Sequence, residues 1–437
     1  MLPAVLSPTA GFFDGPADWL SKVADHLYGN FLAWLLIAAG VWFTVRTRGV
    51  QLRLFGQMLR AIAGSRDGDA GISSFQAFTI GLASRVGTGN IVGVALAITL
   101  GGPGAVFWMW VVALVGMATG FIEATLAQLY KIPHPEGTFR GGPAYYISRG
   151  LGSRRWAGVF AVVITFVFGF AYEATQANAI SGVMMGTFDV SPQWTAIILV
   201  LITAPVVFGG ITAVAKIAEW MAPIMAGVYA LLAIVVLVIH ASAIPDAMMS
   251  IIEGAFGIDQ AFAGVAGGFV AAALNGIKRG LFSNEAGLGG AACAAGSATV
   301  AHPTQQGFIQ AFGVLVDTVL VCTATALAIL IAGRIDGSVY IPGVTGLGDD
   351  SVSGTLTQNA IASVLGQWTS WPMTILIMVL AYSTILGAFS YAEVCLDYLT
   401  RRPWAPPVLR VGALACAFVG GASKLTTVWS TADVLLG

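Results

Sequence analysis

An apolar stretch that is interrupted at its centre most constrains the fold of this chain. Residues 73–110 read SSFQAFTIGLASRVGTGNIVGVALAITLGGPGAVFWMW and are apolar enough to cross a bilayer. At the centre, SRVGTGN (Ser84–Asn90) holds an arginine, a threonine, an asparagine and two glycines. Each glycine costs a helix about 1 kcal/mol relative to alanine, and unpaired backbone groups are not tolerated against lipid. We predict a broken helix lining a polar cavity, with an ordinary glycine kink as the alternative.

A break of this kind offers binding groups on both of its sides. A half-helix that begins at the break directs its positive N-terminal end into the cavity, where a carboxylate is stabilised. Carbonyl groups released at the other side are suited to a cation. The stretch therefore predicts a site for an anionic group and a cation, side by side.

The composition of the chain places it among polytopic membrane proteins. Of 437 residues, 57% are hydrophobic and 9% are charged, whereas soluble domains have about 25% charged residues. The net charge of −1 indicates no nucleic-acid partner. The four cysteines are scattered and form no CxxC pair, and we expect neither a disulfide framework nor a cleavable signal peptide. No metalloprotease, nucleophile-elbow or phosphate-loop motif is present, so we do not expect an enzyme or a cofactor.

With about 20 residues per span, we count about eleven membrane segments, and the basic residues orient them. Arginines concentrate in two loops, residues 46–66 and residues 131–155, and the first of these loops resembles an interfacial amphipathic helix. Lys278, Arg279, Arg401 and Arg402 fall on the same side. Because basic residues mark the cytoplasmic face, we expect a multi-pass protein of the cell membrane with its N-terminus outside and its Arg-rich loops in the cytoplasm.

A second glycine-rich segment, FAGVAGGFVAAALNGIKRGLFSNEAGLGG, follows the first after an odd number of spans. The two segments therefore have opposite orientations, which is typical of an inverted repeat with paired discontinuous helices. We predict an all-α polytopic fold with an inverted repeat.

Three further groups of residues could contribute to a site. Phe168, Tyr172 and Gln176 recur at helical spacing and share one face, which is either a ligand wall or a packing surface. Asp317 lies deep in an apolar span, where an acid costs about 2.5–3.5 kcal/mol. It is either a possible cation or proton site or a structural partner of Arg85. Ser383 and Thr384 are adjacent hydroxyls that either bond their own helix or bind a cation.

Several of these blocks together resemble the alanine/glycine:cation symporter family of sodium–amino acid carriers. The blocks are SSFQAF, SRVGTGNIVGVALAI, GGPGAVFWMW, GTFRGGPAYYI, GIKRGLFSNEAG and DTVLVCTATA, and the resemblance covers about residues 70–335. The family implies the inverted-repeat fold of the amino acid–polyamine–organocation type, with 5+5 helices and one extra N-terminal helix, and uptake of alanine or glycine driven by sodium. The division expected from this fold is an outer N-terminal segment (1–30), the extra helix with the amphipathic segment (31–73), the first repeat (74–240) and the second repeat (241–437).

The break is also similar to the first helix of neurotransmitter:sodium symporters. That match implies that the Thr88 and Gly89 amides bind the substrate carboxylate and that Asn90 gives a side-chain oxygen to sodium. It further implies a second cation position formed by the carbonyls of Ala83, Val86 and Leu380 and by the hydroxyls of Ser383 and Thr384. We expect Phe168, Tyr172 and Phe269 to wall a small pocket.

Two departures from the family pattern concern the second half of the chain. Ala388 stands where the family usually has an asparagine, and GLGGAACAA replaces a more polar family segment, so the substrate preference could differ. Family members also continue beyond Gly437, which leads us to expect an incomplete last helix.

We therefore expect a secondary transporter that imports a small neutral amino acid with sodium by alternating access. Its partners would be the amino acid, Na⁺ and the lipid bilayer. Two alternatives remain open: a proton-coupled permease that uses Asp317, and a membrane channel.

Overall fold

The chain folds as an all-α polytopic membrane protein. The computed structural model describes residues 26, 31–64, 72–135, 137–256, 267–337, 339–341, 350–423, 428 and 431–432. In these ranges, six helices are long and apolar enough to cross a membrane, and one bent pair makes a seventh. Two shorter apolar helices accompany them.

The first half contains the broken helix, a short hairpin and three long spans. Its helices are α1 (Ala33–Arg46), α2 (Val50–Arg53), α3 (Phe55–Ala63), α4 (Ser74–Arg85), α5 (Val92–Gly101), α6 (Ala105–Leu129), α7 (Pro143–Gly150), α8 (Arg154–Phe166), α9 (Tyr172–Phe188), α10 (Pro192–Phe208) and α11 (Gly210–Ile239). A π-helical segment, Val167–Ala171, joins α8 to α9 as one 35-residue span. Strands β1 (Ile132–Pro133) and β2 (Phe139–Arg140) form an antiparallel hairpin.

The second half repeats the use of interrupted helices. It contains α12 (Ile244–Ala255), α13 (Gly267–Asn284), α14 (Gly290–Ser297), α15 (Pro303–Val314), α16 (Thr323–Ile335), α17 (Asp350–Leu365), α18 (Ser370–Leu399) and α19 (Ala405–Ala422). A π-helical segment, Leu315–Cys322, continues α15 into α16. Single 3₁₀ turns lie at Thr88–Asn90, Ala241–Ala243 and Gln367–Thr369.

The predicted break in the first glycine-rich stretch is confirmed, and its boundaries follow from the local sequence. Helix α4 begins at a capping box, in which the Ser73 hydroxyl accepts from the Gln76 amide and the Gln76 side chain accepts from the Ser73 amide. The helix ends before Gly87, and α5 continues at an angle of 52°. The kinked but continuous helix that we considered is therefore excluded.

The second glycine-rich segment is also interrupted, at residues 285–289 between α13 and α14. Glu285, Gly287 and Gly289 have positive φ angles of 55°, 93° and 82°, which a continuous right-handed helix does not allow. The two half-helices α4 and α14 lie side by side, because Ile72 and Ala298 form a parallel bridge. Two discontinuous helices thus meet inside the bundle, while the 5+5 symmetry itself stays a prediction.

Our span map differs from the structure in two respects. Lys278 and Arg279, which we expected at a cytoplasmic helix end, are buried within α13, so they report nothing about orientation. The loop of residues 131–155 is not irregular, since it contains the hairpin and α7. The expected segments 1–30 and 426–437 lie almost entirely outside the described residues.

Candidate functional site

The unwound turn between α4 and α5 is the centre of the candidate site. Gly87, Thr88, Gly89 and Asn90 are all buried, so their free backbone groups face other parts of the protein. A Cβ at Gly87 would overlap the hydroxyl of Thr384, and a Cβ at Gly89 would lie 3.2 Å from Phe282 Cδ1. The glycines therefore permit α13 and α18 to approach the turn closely.

On one side of the turn, two hydroxyls and two carbonyls converge. The Ser383 hydroxyl lies 2.7 Å from the Leu380 carbonyl and 3.1 Å from the Ala83 carbonyl. The Thr384 hydroxyl lies 3.0 Å from the Ala83 carbonyl and 3.2 Å from the Leu380 carbonyl. Four of the five groups that we predicted for the second cation position are thus in one place. Val86, the fifth, is buried at the end of α4.

On the opposite side, Asn90 connects the turn to Asp317. Its side-chain oxygen accepts from the Gly87 amide at 3.0 Å, and its nitrogen donates to the Asp317 carboxylate at 2.6 Å. Ser283 and Thr318 also donate to that carboxylate, at 2.8 and 2.7 Å. Arg85 instead donates to the carbonyl of Gln310 at 3.2 Å. The direct pairing of Asp317 with Arg85 that we considered is not formed, and the acid belongs to a polar group around Asn90.

The face of Phe168, Tyr172 and Gln176 points toward the same turn. The Gln176 oxygen accepts from the Thr88 hydroxyl at 2.8 Å and from the Thr88 amide at 3.4 Å. Phe168 and Tyr172 contact each other with ring centroids 4.6 Å apart. The face is therefore packed, and its glutamine is hydrogen-bonded, as the packing interpretation expects, while its role as a ligand wall stays a prediction.

Phe269 is not part of this aromatic wall in the structure. Its side chain is 41% exposed and its ring packs against Trp108. Phe282 takes the expected position instead: it stacks on Tyr172 at 5.0 Å and contacts Gly89. The aromatic rings of Phe168 and Tyr391 also meet, at 5.2 Å. Helix α13 continues for more than four turns beyond Phe269 before it reaches the break, which explains the difference.

Sequence reasoning also missed a contact between the two breaks. The Ser84 hydroxyl donates to the Glu285 carboxylate at 2.7 Å, and both residues are buried. Next to it, the Glu123 carboxylate accepts from the Gly287 amide at 3.1 Å. An acidic residue at the end of a glycine-rich span is a sequence signal that could have identified Glu285. Its pairing with Ser84 could not be predicted, because it depends on how α4 packs against α14.

Comparison with known proteins gives a consistent picture over nearly the whole chain. Residues 14–437 match the model of the sodium:alanine symporter family. The amino-acid carrier protein AlsT of Bacillus subtilis is 43% identical, with 96% of this chain and 86% of AlsT covered. The probable sodium/glutamine symporter GlnT of the same organism is 40% identical over 96% of this chain and 86% of GlnT. The sodium/alanine symporter AgcS of Methanococcus maripaludis is 35% identical, and the match covers 96% of this chain and 91% of AgcS.

The match to the family model spans most of the chain, and these relatives exceed 30% identity over almost its entire length. The broken helix with its polar contacts lies within the matched region. The chain therefore belongs to the sodium:alanine symporter family, whose members are sodium-coupled amino acid transporters and not enzymes.

Proposed function

We propose that this protein imports a small neutral amino acid, alanine or glycine, together with sodium by alternating access. The observation that carries the proposal is the convergence of Ala83, Leu380, Ser383 and Thr384 beside an unwound turn. Neutral carbonyl and hydroxyl oxygens at the end of a half-helix are the groups that bind Na⁺ in discontinuous-helix transporters. Val86 would add its carbonyl as a further ligand.

The carboxylate of the substrate would bind at Thr88 and Gly89, whose amides begin the second half of the broken helix. The Gln176 oxygen already accepts from the Thr88 amide and hydroxyl, so these donors are directed into a space that an oxygen can occupy. Asn90 would give its side-chain oxygen to a cation, with Asp317 as a possible additional ligand. Both residues are buried and hydrogen-bonded to each other.

The size of the substrate would be limited by aromatic rings. Phe168, Tyr172 and Phe282 are all buried near the turn, and the Tyr172 ring contacts the other two rings. An extra methylene gains about 0.8 kcal/mol by burial, whereas forcing it into a full pocket costs about 1–3 kcal/mol. This balance favours alanine and glycine over leucine. One relative is named as a probable sodium/glutamine symporter, and glutamine is larger than alanine. Experiment must therefore test the size of the substrate.

The orientation and the repeat symmetry belong to the same proposal. We place the N-terminus outside and the loops of residues 46–66 and 131–155 in the cytoplasm, in the cell membrane, from the distribution of basic residues. The divisions at residues 31, 74 and 241 would separate the extra helix from two inverted repeats. The meeting of the two breaks at Ser84 and Glu285 supports this arrangement.

The direct test is uptake of radiolabelled alanine into proteoliposomes. An inward sodium gradient should drive accumulation, and replacement of sodium by choline should abolish it. Excess unlabelled alanine or glycine should compete, and leucine should not. Uptake that persists in choline but collapses with a protonophore would favour the proton-coupled alternative, and flux without saturation or counterflow would favour a channel.

A further inference from the structure

The hairpin β1–β2 and the glycines that follow it form a structural unit that the candidate site does not use. The segment contains the GTFRGG sequence and lies between the ends of α14 and α18. We refer to residues 131–135 and 137–142, with their contacts on those two helices, as the loop lock. Its contacts fall into an ionic set on α18 and a backbone set on α14.

The ionic set is a pair between the buried Arg140 and the partly exposed Asp397. The Arg140 Nε lies 2.6 Å from the Asp397 carboxylate, and the arginine is only 2% exposed. Its Nη1 also donates to the Thr138 hydroxyl at 2.7 Å, while His134 Nε2 lies 3.6 Å from the same carboxylate. Asp397 lies near the end of α18, the helix that carries Ser383 and Thr384. The pair therefore connects the loop to a helix of the proposed sodium site.

The backbone set attaches the loop to the end of α14. Lys131 Nζ donates to the Ala298 carbonyl at 2.6 Å, and the Gln128 side chain donates to the carbonyls of Ala295 and Ala298. The glycines are pressed against the same helix, since a Cβ at Gly142 would lie 2.8 Å from Cys293 Sγ. Ala298 in turn bridges Ile72 at the start of α4. One loop thus holds α4, α14 and α18 together.

The position of these contacts suggests what they control. Helices α4 and α14 are the halves of the two broken helices that lead from the candidate site to the same end of the bundle as the loop. Each is joined to its other half by an unwound turn, where a change of backbone angle is least costly. A substrate released at this end must pass between α4, α14 and α18, so these elements have to separate.

We propose that the loop lock is the releasable closure of the cytoplasmic gate, held by Arg140 and Asp397 as positioning residues. The inference rests on the proposed symport function and orientation. Removal of either partner takes away the 2.6 Å ionic contact that holds the loop to α18, which destabilises the closed arrangement. In such a variant the gate opens more often, at least about tenfold, and the buried surface behind the loop is exposed.

Two native thiols provide a direct measurement of this opening. Cys293 on α14 and Cys395 on α18 are 0% and 1% exposed, and their Sγ atoms lie 3.6 Å apart directly behind the loop. Modification by N-ethylmaleimide in proteoliposomes, quantified for each cysteine by peptide mass spectrometry, reports their exposure. Cys322 is buried at the candidate site, which opening of the gate also exposes, so thermal unfolding of the same samples is the measurement that separates opening from unfolding. No sodium or substrate is needed for this measurement.

The variants are Arg140→Gln, Asp397→Asn and the charge exchange of Arg140→Asp with Asp397→Arg. We expect each single change to speed modification of Cys293 and Cys395 at least about tenfold while thermal unfolding stays cooperative, and the exchange to restore the slow rate. The control is Arg334→Gln, which breaks the exposed pair of Arg334 with Asp246 and should leave all cysteines unchanged.

If a single variant shows no cooperative thermal unfolding, it is not folded, and Thr138→Val then provides the test. It removes only the hydroxyl that accepts from Arg140 and should speed modification at Cys293 by about two- to tenfold. If Arg140→Gln is folded, an unchanged rate of Cys293 modification in it would overturn the loop lock. If Arg140→Gln unfolds, an unchanged rate in Thr138→Val would do so. A wild type without sodium-driven uptake would refute the symport function while leaving the thiol result interpretable.

Discussion

The hydroxyl pair on α18 provides the sharpest test of the proposed sodium site. Ser383→Ala combined with Thr384→Val keeps the side-chain volume nearly constant and removes only two oxygens. In the structure these oxygens lie 2.7–3.2 Å from the carbonyls of Leu380 and Ala83. Any cation bound to these carbonyls would also contact the two hydroxyls.

The expected magnitude follows from these contacts. An interaction between a neutral polar group and a charge contributes about 1.5–3 kcal/mol, so loss of two such groups weakens sodium binding by about 3–6 kcal/mol. At 1.4 kcal/mol per decade, the half-saturating sodium concentration rises at least about 100-fold. If the hydroxyls only bond their own helix, each contributes about 0.5–1.5 kcal/mol to folding, and sodium affinity changes little.

The assay is alanine uptake in proteoliposomes across a range of sodium concentrations, with thermal unfolding measured on the same samples. Ser390→Ala is the matched control, because its hydroxyl is buried in the same helix and bonds the Leu386 carbonyl at 3.1 Å. That variant should show a wild-type sodium dependence. A sodium dependence in the Ser383/Thr384 variant within threefold of wild type would refute the cation role of the pair.

Four further outcomes are expected. Asn90→Ala should raise the half-saturating sodium concentration about tenfold or more, because it removes the contact to Asp317; an unchanged value removes Asn90 from the cation site. Gly87→Ala should abolish uptake because its Cβ overlaps the Thr384 hydroxyl, whereas Gly182→Ala, with open space around it, should be active. Phe282→Ala should allow leucine to compete with alanine in counterflow, and continued exclusion of leucine would place the size limit elsewhere. Burial lowers the pKa of Lys131 from 10.5 to about 8. Between about pH 8 and pH 10.5 the unfolded chain therefore binds more protons than the folded protein, and the free energy of unfolding rises with pH. Thermal unfolding of Lys131→Met should not show this increase in stability with pH.

The sequence predicted the features that depend on local backbone physics. The break at Gly87 and Gly89 follows from helix propensity and from the cost of unpaired backbone groups in lipid, and the structure places it between Arg85 and Val92. The capping box at Ser73 was not predicted, although it requires only the residues of one helix turn.

Features that depend on the packing of distant elements were not predicted. Phe269 and Phe282 are both aromatic residues of α13, and nothing in their spacing shows which of them reaches Gly89. The pairs Ser84–Glu285 and Arg140–Asp397 join residues far apart in the chain. Lys278 and Arg279 resemble a cytoplasmic helix end by composition, but both are buried. The charge pattern could not predict this, because it does not show how deeply a helix extends into the bundle.

The contacts around the turn suggest how sodium and substrate would be coupled. The Ala83 carbonyl faces the hydroxyl pair, and within five residues the Thr88 amide faces the proposed substrate position. Gly87 lies between them, and its amide is held by Asn90, which also contacts Asp317. The segment from Ala83 to Thr88 is short and has few independent backbone angles. A cation that fixes the backbone at Ala83 therefore also reduces the conformational entropy that the turn loses when the carboxylate binds. Positive cooperativity between the two ligands then follows, and by thermodynamic linkage alanine must increase the affinity for sodium by the same factor.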